Sequence, residues 1–232
     1  MDELDLIALG KQSVKSVLAL VSQTFILQII STFALLIVFT ILTPSDVGVF
    51  VAVTAVRRII DFFTDFGFGA ALVQKKDDLT QDDLNISFTI QASITLVIFL
   101  IVFIFKDQTA SVLKLNGQGE NLLIALVFSV FLSSFKTIPS ILLERKIQFQ
   151  KLVIPQVAEA LAYNIVLIVL VLKGFRVDSY TYAFLAAGLI GIPFYYYVSP
   201  WKIGIGIDSK ALHNLKFGIQ FQAKNILASI KD

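Results

Sequence analysis

The sequence predicts an all-α protein that crosses a membrane several times. Of its 232 residues, 56% are hydrophobic and only 16% are charged, and the mean hydropathy is +0.82. Soluble domains carry about 25% charged residues, so this composition lies outside their range. The apolar residues also fall in windows of roughly 20 residues or more, the length of an α-helix that crosses the ~30 Å hydrocarbon core of a bilayer.

Six apolar windows predict membrane-spanning helices, at 16–42, 44–73, 84–105, 121–143, 152–172 and 179–200. The chain is again apolar at 212–230, which predicts the start of a seventh helix. Because the turns between the first helices are short, consecutive helices are expected to be antiparallel neighbours. We therefore expect one six-helix transmembrane bundle at 1–211 and the start of a seventh helix, belonging to a second bundle, at 212–232.

Two helix starts can be recognised from their capping residues. Thr43 is a candidate N-cap, followed by Pro44 at the first helical position and Asp46 at the third. Thr80 and Asp83 repeat the pattern without the proline. Each pair has the spacing of a capping box, in which each side chain hydrogen-bonds the backbone N–H of the other residue.

The basic residues predict a cytoplasmic N-terminus. With that orientation, ten of them lie on the inner side: Lys11, Lys15, Lys75, Lys76, Arg145, Lys146, Lys151, Lys202, Lys210 and Lys216. Four lie on the outer side: Lys106, Lys114, Lys173 and Arg176. The excess on the inner side follows the positive-inside rule for multi-pass membrane proteins.

The second apolar window contains four charged residues, Arg57, Arg58, Asp61 and Asp65. A charge at the centre of a bilayer costs roughly 2.5–3.5 kcal/mol by insertion scales, so such residues pair or face a polar cavity. On a helical wheel the four occupy an arc of about 100°, which predicts one ionic face directed into the bundle. The alternative is a ladder that neutralises itself, because Arg57 and Arg58 both have helical spacing to Asp61.

Two further charges, Lys136 and Glu159, lie within the fourth and fifth windows. Each is seven residues from the end of its window at the connection between the two, so both are expected at the same depth, ~10 Å inside. We expect them to form an ion pair close to Pro139 and Pro155, which introduce flexible points into the same helices. The pair is a candidate for gating or coupling, and the alternative is a purely structural ion pair.

Several kinds of chemistry are not expected. The chain has no Cys, and a lone His213 makes neither a metal cluster nor a catalytic triad, so no cofactor, metal or catalytic residue is predicted. The net charge of +2 does not indicate a nucleic-acid partner. The acidic clusters at 77–78 and 82–83 resemble half of a magnesium site for prenyl pyrophosphates, but they lack a second acidic motif and are interpreted as capping and loop residues.

Three segments resemble the polysaccharide-biosynthesis flippases. They are the turn at 42–48, the segment at 65–77 that begins Asp65-Phe66-Gly67-Phe68-Gly69 and continues to Leu79-Thr80, and the helix exit at 138–149. Members of this family move lipid-linked oligosaccharides, of the O-antigen type among others, across bacterial and archaeal plasma membranes. The family belongs to the multidrug, oligosaccharidyl-lipid and polysaccharide exporter superfamily, whose fold has two helical bundles around a central cavity.

The resemblance implies that this chain is the N-terminal half of such an exporter. We expect a fragment, with a missing C-terminal bundle of the same chain as its partner, in the plasma membrane. The implied function is to flip a polyprenyl-pyrophosphate-linked oligosaccharide by alternating access, without enzymatic catalysis. Arg57 and Arg58 would bind the pyrophosphate, whereas Asp61 and Asp65 would restrain these arginines, accept hydrogen bonds from sugar hydroxyls or exchange a coupling proton.

Other functions remain open at this point. A cation-coupled drug or small-molecule antiporter of the same superfamily would use Asp61, Asp65 or Glu159 to bind the cation, although the paired arginines favour an anionic substrate. A membrane-embedded glycosyltransferase of prenyl lipids would need the acidic cluster between Asp77 and Asp83 as its catalytic site. In an accessory subunit all the buried charges would serve packing alone.

Overall fold

The computed structural model describes residues 3–64, 72, 73, 75 and 77–206. Within this part the chain forms seven helices and no strand, which confirms the all-α prediction. The helices are α1 Glu3–Ile41, α2 Pro44–Thr64, α3 Gln81–Ile104, α4 Lys106–Val112, α5 Gly117–Arg145, α6 Phe149–Leu172 and α7 Asp178–Val198. The predicted seventh span at 212–232 and the charged residue Asp65 lie outside the described residues.

Five helices of the described part are long and apolar enough to cross a membrane: Leu20–Ile41 within α1, and α3, α5, α6 and α7. This confirms a multi-pass helical membrane protein. The predicted second span is also helical up to Thr64, but α2 is not among the five helices. Its Arg57, Arg58 and Asp61 account for the difference, because each reduces the hydropathy of a window that is otherwise apolar.

Both predicted capping boxes are present. At the start of α2, the carboxylate of Asp46 accepts from the backbone N–H of Thr43 at 3.1 Å and from its hydroxyl at 2.8 Å, and the Thr43 hydroxyl accepts from the Asp46 N–H at 3.3 Å. Thr80 and Asp83 make the same reciprocal bonds at the start of α3. These caps satisfy N–H groups that have no partner within the helix, and so they fix where each helix begins.

The helices pack around α5, which is the most buried of the long helices. It contacts α2, α3 and α7, while α7 packs in turn on α6 and α6 on α1. The core of the bundle contains Leu122, Leu126 and Val127 of α5 together with Val53 of α2 and Val171 of α6, all fully buried. The outer faces of α1 and α3 carry large exposed apolar side chains, as expected for helices that face lipid.

At one end of the bundle, connections far apart in sequence meet. Arg176, in the turn between α6 and α7, donates to Asp46 at the start of α2, with Nη2 2.9 Å from Oδ1 and Nε 3.2 Å from Oδ2. Gln118 of α5 donates to Asp178 of α7 at 2.8 Å. The starts of α2, α5 and α7 therefore lie at the same end, as the predicted up-and-down topology requires.

The opposite end is organised by Arg145, the last residue of α5. Its guanidinium donates to the backbone carbonyls of Leu72, Lys75 and Asp77 at 2.9, 2.6 and 2.5 Å. These three described residues, which follow α2 and precede α3, are thus held against the end of α5. Which of the two ends faces the cytoplasm stays a prediction.

The short helix α4 was not predicted from the sequence. Lys106, at its first position, lies with Nζ 2.5 Å from Oε1 of Glu120 in α5. The hydrogen bond that Lys106 donates to the Glu120 carboxylate raises the pKa of Lys106 above its ordinary value. This ion pair fastens α4 to the start of α5, and α4 escaped prediction because it is a polar helix with no apolar periodicity.

Candidate functional site

A polar cavity of about 300 Å³ lies inside the bundle between α1, α2, α5, α6 and α7. Most of its lining residues are polar or charged, although they come from helices that are otherwise apolar. The polar members are Ser31, Arg57, Ser129, Ser133, Lys136, Gln156, Glu159, Tyr163 and Asn164, and the others are Ala160, Phe184, Ala187 and Gly188. The cavity therefore joins the two charged groups predicted from separate parts of the sequence, the arginine of α2 and the pair on α5 and α6.

The predicted ion pair between Lys136 and Glu159 is present. Lys136 Nζ lies 2.6 Å from Glu159 Oε1, and the two side chains are only 14% and 23% exposed. Lys136 also lies 5.9 Å from the centre of the Tyr195 ring. Because both side chains are largely withdrawn from solvent, loss of either one would leave the other charge without its partner in a mostly buried place. A role of this pair in gating or coupling stays a prediction.

Among the α2 side chains that the structure describes, Arg57 alone lines the cavity. Its Nε lies 3.3 Å from Oδ2 of Asp61, so the predicted contact one turn along the helix is present. Its Cζ lies 5.7 Å from the centre of the Phe184 ring on α7, a distance suited to a cation–π interaction. The guanidinium is therefore directed towards the cavity by an aromatic ring on one side and a carboxylate on the other.

The predicted single inward face of α2 is not observed, because Arg58 is exposed and does not line the cavity. The buried side of α2 is defined by Val53 and Ile60. On a helical wheel Arg57 lies about 50° from the middle of that side, whereas Arg58 lies about 150° away. Because consecutive residues of a helix point about 100° apart, the rotation of α2 that directs Arg57 towards the cavity turns Arg58 away from it.

Several polar residues of the cavity were not anticipated from the sequence. Gln156 and Asn164 lie on α6, and Gln23 on α1 donates to the Gln156 side-chain oxygen at 2.6 Å. Asn164 is buried and donates to the Ala160 carbonyl at 2.7 Å. The Gln and Asn residues inside the apolar windows could have indicated this cavity, because a polar side chain in a membrane-spanning helix is costly unless it pairs or faces a cavity.

A second cavity of about 200 Å³ adjoins the first. The two share Ser31, Tyr163 and Asn164, and the second extends along α1 and α6 towards Val38 and Tyr180. Its lining is mostly apolar. The combined space is polar in the middle of the bundle and more apolar towards the end where Arg176 meets Asp46.

In its chemistry the site is suited to binding a polar ligand. Of the described residues, two cations and one carboxylate line the main cavity, and Lys136 is already neutralised by Glu159. Within the residues that the structure describes, no group of three or more His, Cys, Asp or Glu could hold a metal ion. The fold and this cavity define the class: a multi-pass α-helical membrane protein with a charged, polar interior.

Comparison with known proteins then places the chain in a family. The model of a family described as polysaccharide biosynthesis protein matches residues 37–232, and the chain belongs to that family. This confirms the resemblance recognised in the sequence. Neither a curated protein nor a solved structure matches the chain.

Proposed function

We propose that the protein is a membrane carrier that flips a polyprenyl-pyrophosphate-linked oligosaccharide during polysaccharide production. The observation that supports this most is the polar, charged cavity between apolar helices in a member of a polysaccharide-biosynthesis family. A lipid-linked sugar needs a polar route for its pyrophosphate and glycan, whereas its lipid tail can remain in the bilayer. Moving such a molecule requires binding and conformational change, with no bond made or broken.

In this proposal α2 also crosses the membrane, which raises the number of membrane-spanning helices from five to six. It packs on α5 and contributes Val53 and Ile60 to the buried core, so it occupies a place in the bundle despite its charges. The six-helix bundle would be one half of a two-bundle exporter in the plasma membrane, with a cytoplasmic N-terminus. Alternating access would then come from movement of one bundle against the other.

Arg57 is the residue that we assign to the pyrophosphate. A guanidinium donates two parallel, charge-assisted hydrogen bonds to phosphate oxygens, and Arg57 is the cation of the cavity that is not held by another lining residue's carboxylate. Asp61, its partner, is exposed and could be exchanged for a phosphate without leaving a charge buried alone. Arg58 would bind pyrophosphate only in a conformation in which its exposed side becomes part of a larger cavity.

The test measures export of the lipid-linked glycan by full-length protein in which Arg57 is replaced. Arg57→Gln is expected to reduce export by roughly 10- to 100-fold, since a hydrogen bond to a charged group is worth about 1.5–3 kcal/mol. Arg57→Lys should retain part of the activity, because the charge remains but the two-pronged geometry is lost. Arg58→Gln is the matched control and should change export less than Arg57→Gln.

Unchanged export in Arg57→Gln, at equal amounts of protein in the membrane, would refute the pyrophosphate assignment. A cation-coupled antiporter is the second candidate, because the Glu159 carboxylate lines the cavity. That function requires a drug or small-molecule efflux that Glu159→Gln abolishes and Arg57→Gln spares. The close contact of Glu159 with Lys136 argues against it, since a bound cation would have to displace the ammonium group.

A further inference from the structure

Gly191 of α7 provides the space in which the Glu159 carboxylate lies. A Cβ atom placed on Gly191 would overlap with Oε1, Cδ and Cγ of Glu159. The backbone fixes the position of a Cβ atom, so any side chain at position 191 must displace the Glu159 carboxylate. The position of Glu159 on α6 therefore depends on the absence of a side chain on a neighbouring helix.

Three helices meet at this point. Lys136 is on α5, Glu159 on α6 and Gly191 on α7. The helices α5 and α6 are consecutive in the chain but pack mainly on α7, which lies between them. The ion pair thus crosses α7 and joins two helices that have little direct contact with each other. Because Gly191 has no side chain, the Glu159 side chain can lie against α7 at this point.

The ion pair lies towards one end of the main cavity. On α5 the lining residues run from Ser129 to Lys136, and on α7 from Phe184 to Gly188, with Gly191 one turn further along. The two helices are parallel, because Gln118 meets Asp178 near their starts and a Cβ on Gly188 would lie 3.0 Å from Leu132 further along. Lys136 and Gly191 therefore lie towards the end of the cavity that is nearer to Arg145, where Gln156 of α6 also lines it.

A proline lies near each member of this junction. Pro139 follows Lys136 by three residues in α5, Pro155 precedes Glu159 by four in α6, and Pro193 follows Gly191 by two in α7. Proline donates no backbone hydrogen bond, so each of these helices lacks one bond of its ladder at this level. Side-chain contacts between the helices are then especially important for holding their relative positions.

We propose that Gly191 is a positioning residue that seats Glu159 against Lys136, and that this three-helix junction fixes the relative positions of α5, α6 and α7 beside the cavity, towards the end nearer to Arg145. The role of Gly191 in positioning Glu159 is inferred from the geometry alone. The effect of this position on transport rests on the proposed function. A larger residue at 191 would push the carboxylate away from Lys136 and leave a charge unpaired in a largely buried place.

The experiment uses the full-length protein and four variants: Gly191→Ala, Gly191→Ala with Glu159→Asp, Glu159→Asp alone, and Gly188→Ala. Aspartate is one methylene shorter than glutamate, so it leaves room for a Cβ at 191, and the flexible lysine can extend towards it. Gly188→Ala is the matched control on the same helix, because its Cβ would meet the end of the Leu132 side chain, 3.0 Å away, and not the ion pair.

We expect Gly191→Ala to lower the melting temperature by several degrees and to reduce glycan export. Adding Glu159→Asp should recover part of both losses, although Glu159→Asp alone should be no better than the native protein. Gly188→Ala should change both quantities less than Gly191→Ala, and Glu159→Asp should not rescue it. If Gly191→Ala fails to accumulate, recovery of folded protein in the double variant supports the proposal, and its continued absence overturns it.

The proposal is also overturned if Gly191→Ala matches the native protein, or if Glu159→Asp deepens its defect. The proposed transport function is tested separately by Arg57→Gln, which leaves this junction intact. If Arg57→Gln exports normally while the melting temperature shows rescue by Glu159→Asp, Gly191 still positions the pair and only the transport function is wrong.

Discussion

Two nitrogens of the Arg176 guanidinium donate to the two carboxylate oxygens of Asp46, with Nη2 2.9 Å from Oδ1 and Nε 3.2 Å from Oδ2, although the two residues are 130 positions apart. The Asp46 side chain is only 3% exposed, whereas that of Arg176 is 56% exposed. One carboxylate therefore both caps α2 through Thr43 and attaches the turn between α6 and α7 to the turn between α1 and α2.

This arrangement predicts unequal effects of replacing the two residues. Asp46→Ala should lower the free energy of unfolding by about 2 kcal/mol, since it removes the capping bonds together with the charge-assisted bonds from Arg176. Arg176→Gln should cost about 1 kcal/mol, because the buried Asp46 carboxylate loses the bonds from Arg176 but keeps those from Thr43. Denaturant unfolding in detergent micelles measures both changes.

Asp107→Ala is a suitable control, because that side chain is 77% exposed and lies 3.7 Å from Lys106 in a surface ion pair. It should leave stability unchanged. Equal losses for Asp46→Ala and Arg176→Gln would contradict the view that capping of α2 contributes separately from the ion pair.

Gly119, in the first turn of α5, is predicted to tolerate no side chain without a loss of stability. A Cβ there would lie 2.8 Å from Cγ1 of Val49 and 3.1 Å from Cβ of Leu115. Valine is stiff at χ1 and cannot easily turn away, so Gly119→Ala should destabilise the protein by about 1–3 kcal/mol. Gly117→Ala is the control, because nothing lies within 4 Å of its Cβ position.

The comparison between the two glycines is made by thermal unfolding of both variants in the same detergent. Alanine is the better helix former by up to about 1 kcal/mol, so Gly117→Ala should be neutral or slightly stabilising. A gain of stability in Gly119→Ala would show that α2 moves away from α5 at no cost.

The ion pair of the cavity predicts a coupling energy. Lys136→Gln and Glu159→Gln should each destabilise the protein, because each leaves the other charge without its partner in a mostly buried place. The double variant should lose less than the sum, with an interaction energy of about 1–3 kcal/mol in a double-mutant cycle. Losses that add within about 0.5 kcal/mol would argue against a direct interaction in the membrane.

Arg145 is predicted to control the order of the segment that connects α2 to α3. Arg145→Gln removes the guanidinium that donates to the carbonyls of Leu72, Lys75 and Asp77. Amide hydrogen exchange in and around that segment should therefore become faster, while exchange in the middle of α5 should not change. The control is Lys151→Gln, an exposed basic residue at the same end of the bundle.

Unaltered exchange near Leu72 and Asp77 in Arg145→Gln would mean that other contacts hold the segment. Lys75 offers one such contact, because its Nζ lies 2.6 Å from Oδ2 of Asp83. Adding Lys75→Gln to Arg145→Gln would separate the two contributions, and the larger effect is expected from the arginine, which contacts three carbonyls.

Local features of the sequence were sufficient to predict the fold class, both helix starts and one long-range contact. The starts at Thr43 and Thr80 depend only on residues three positions apart. The contact between Lys136 and Glu159 was predictable because both lie at the same distance from a short connection between two helices. The divisions at 1–211 and 212–232 and the cytoplasmic N-terminus remain predictions.

The remaining features of the site were decided by the tertiary structure. The sequence could place Arg57 and Arg58 on one helix, but which of them enters the cavity depends on how α2 is rotated against α5. Likewise, Gly191 is an unremarkable glycine in an apolar helix until α6 brings Glu159 against it. Helical periodicity defines the faces of each helix by itself, but the rotation and approach of neighbouring helices result from side-chain packing among residues distant in the chain.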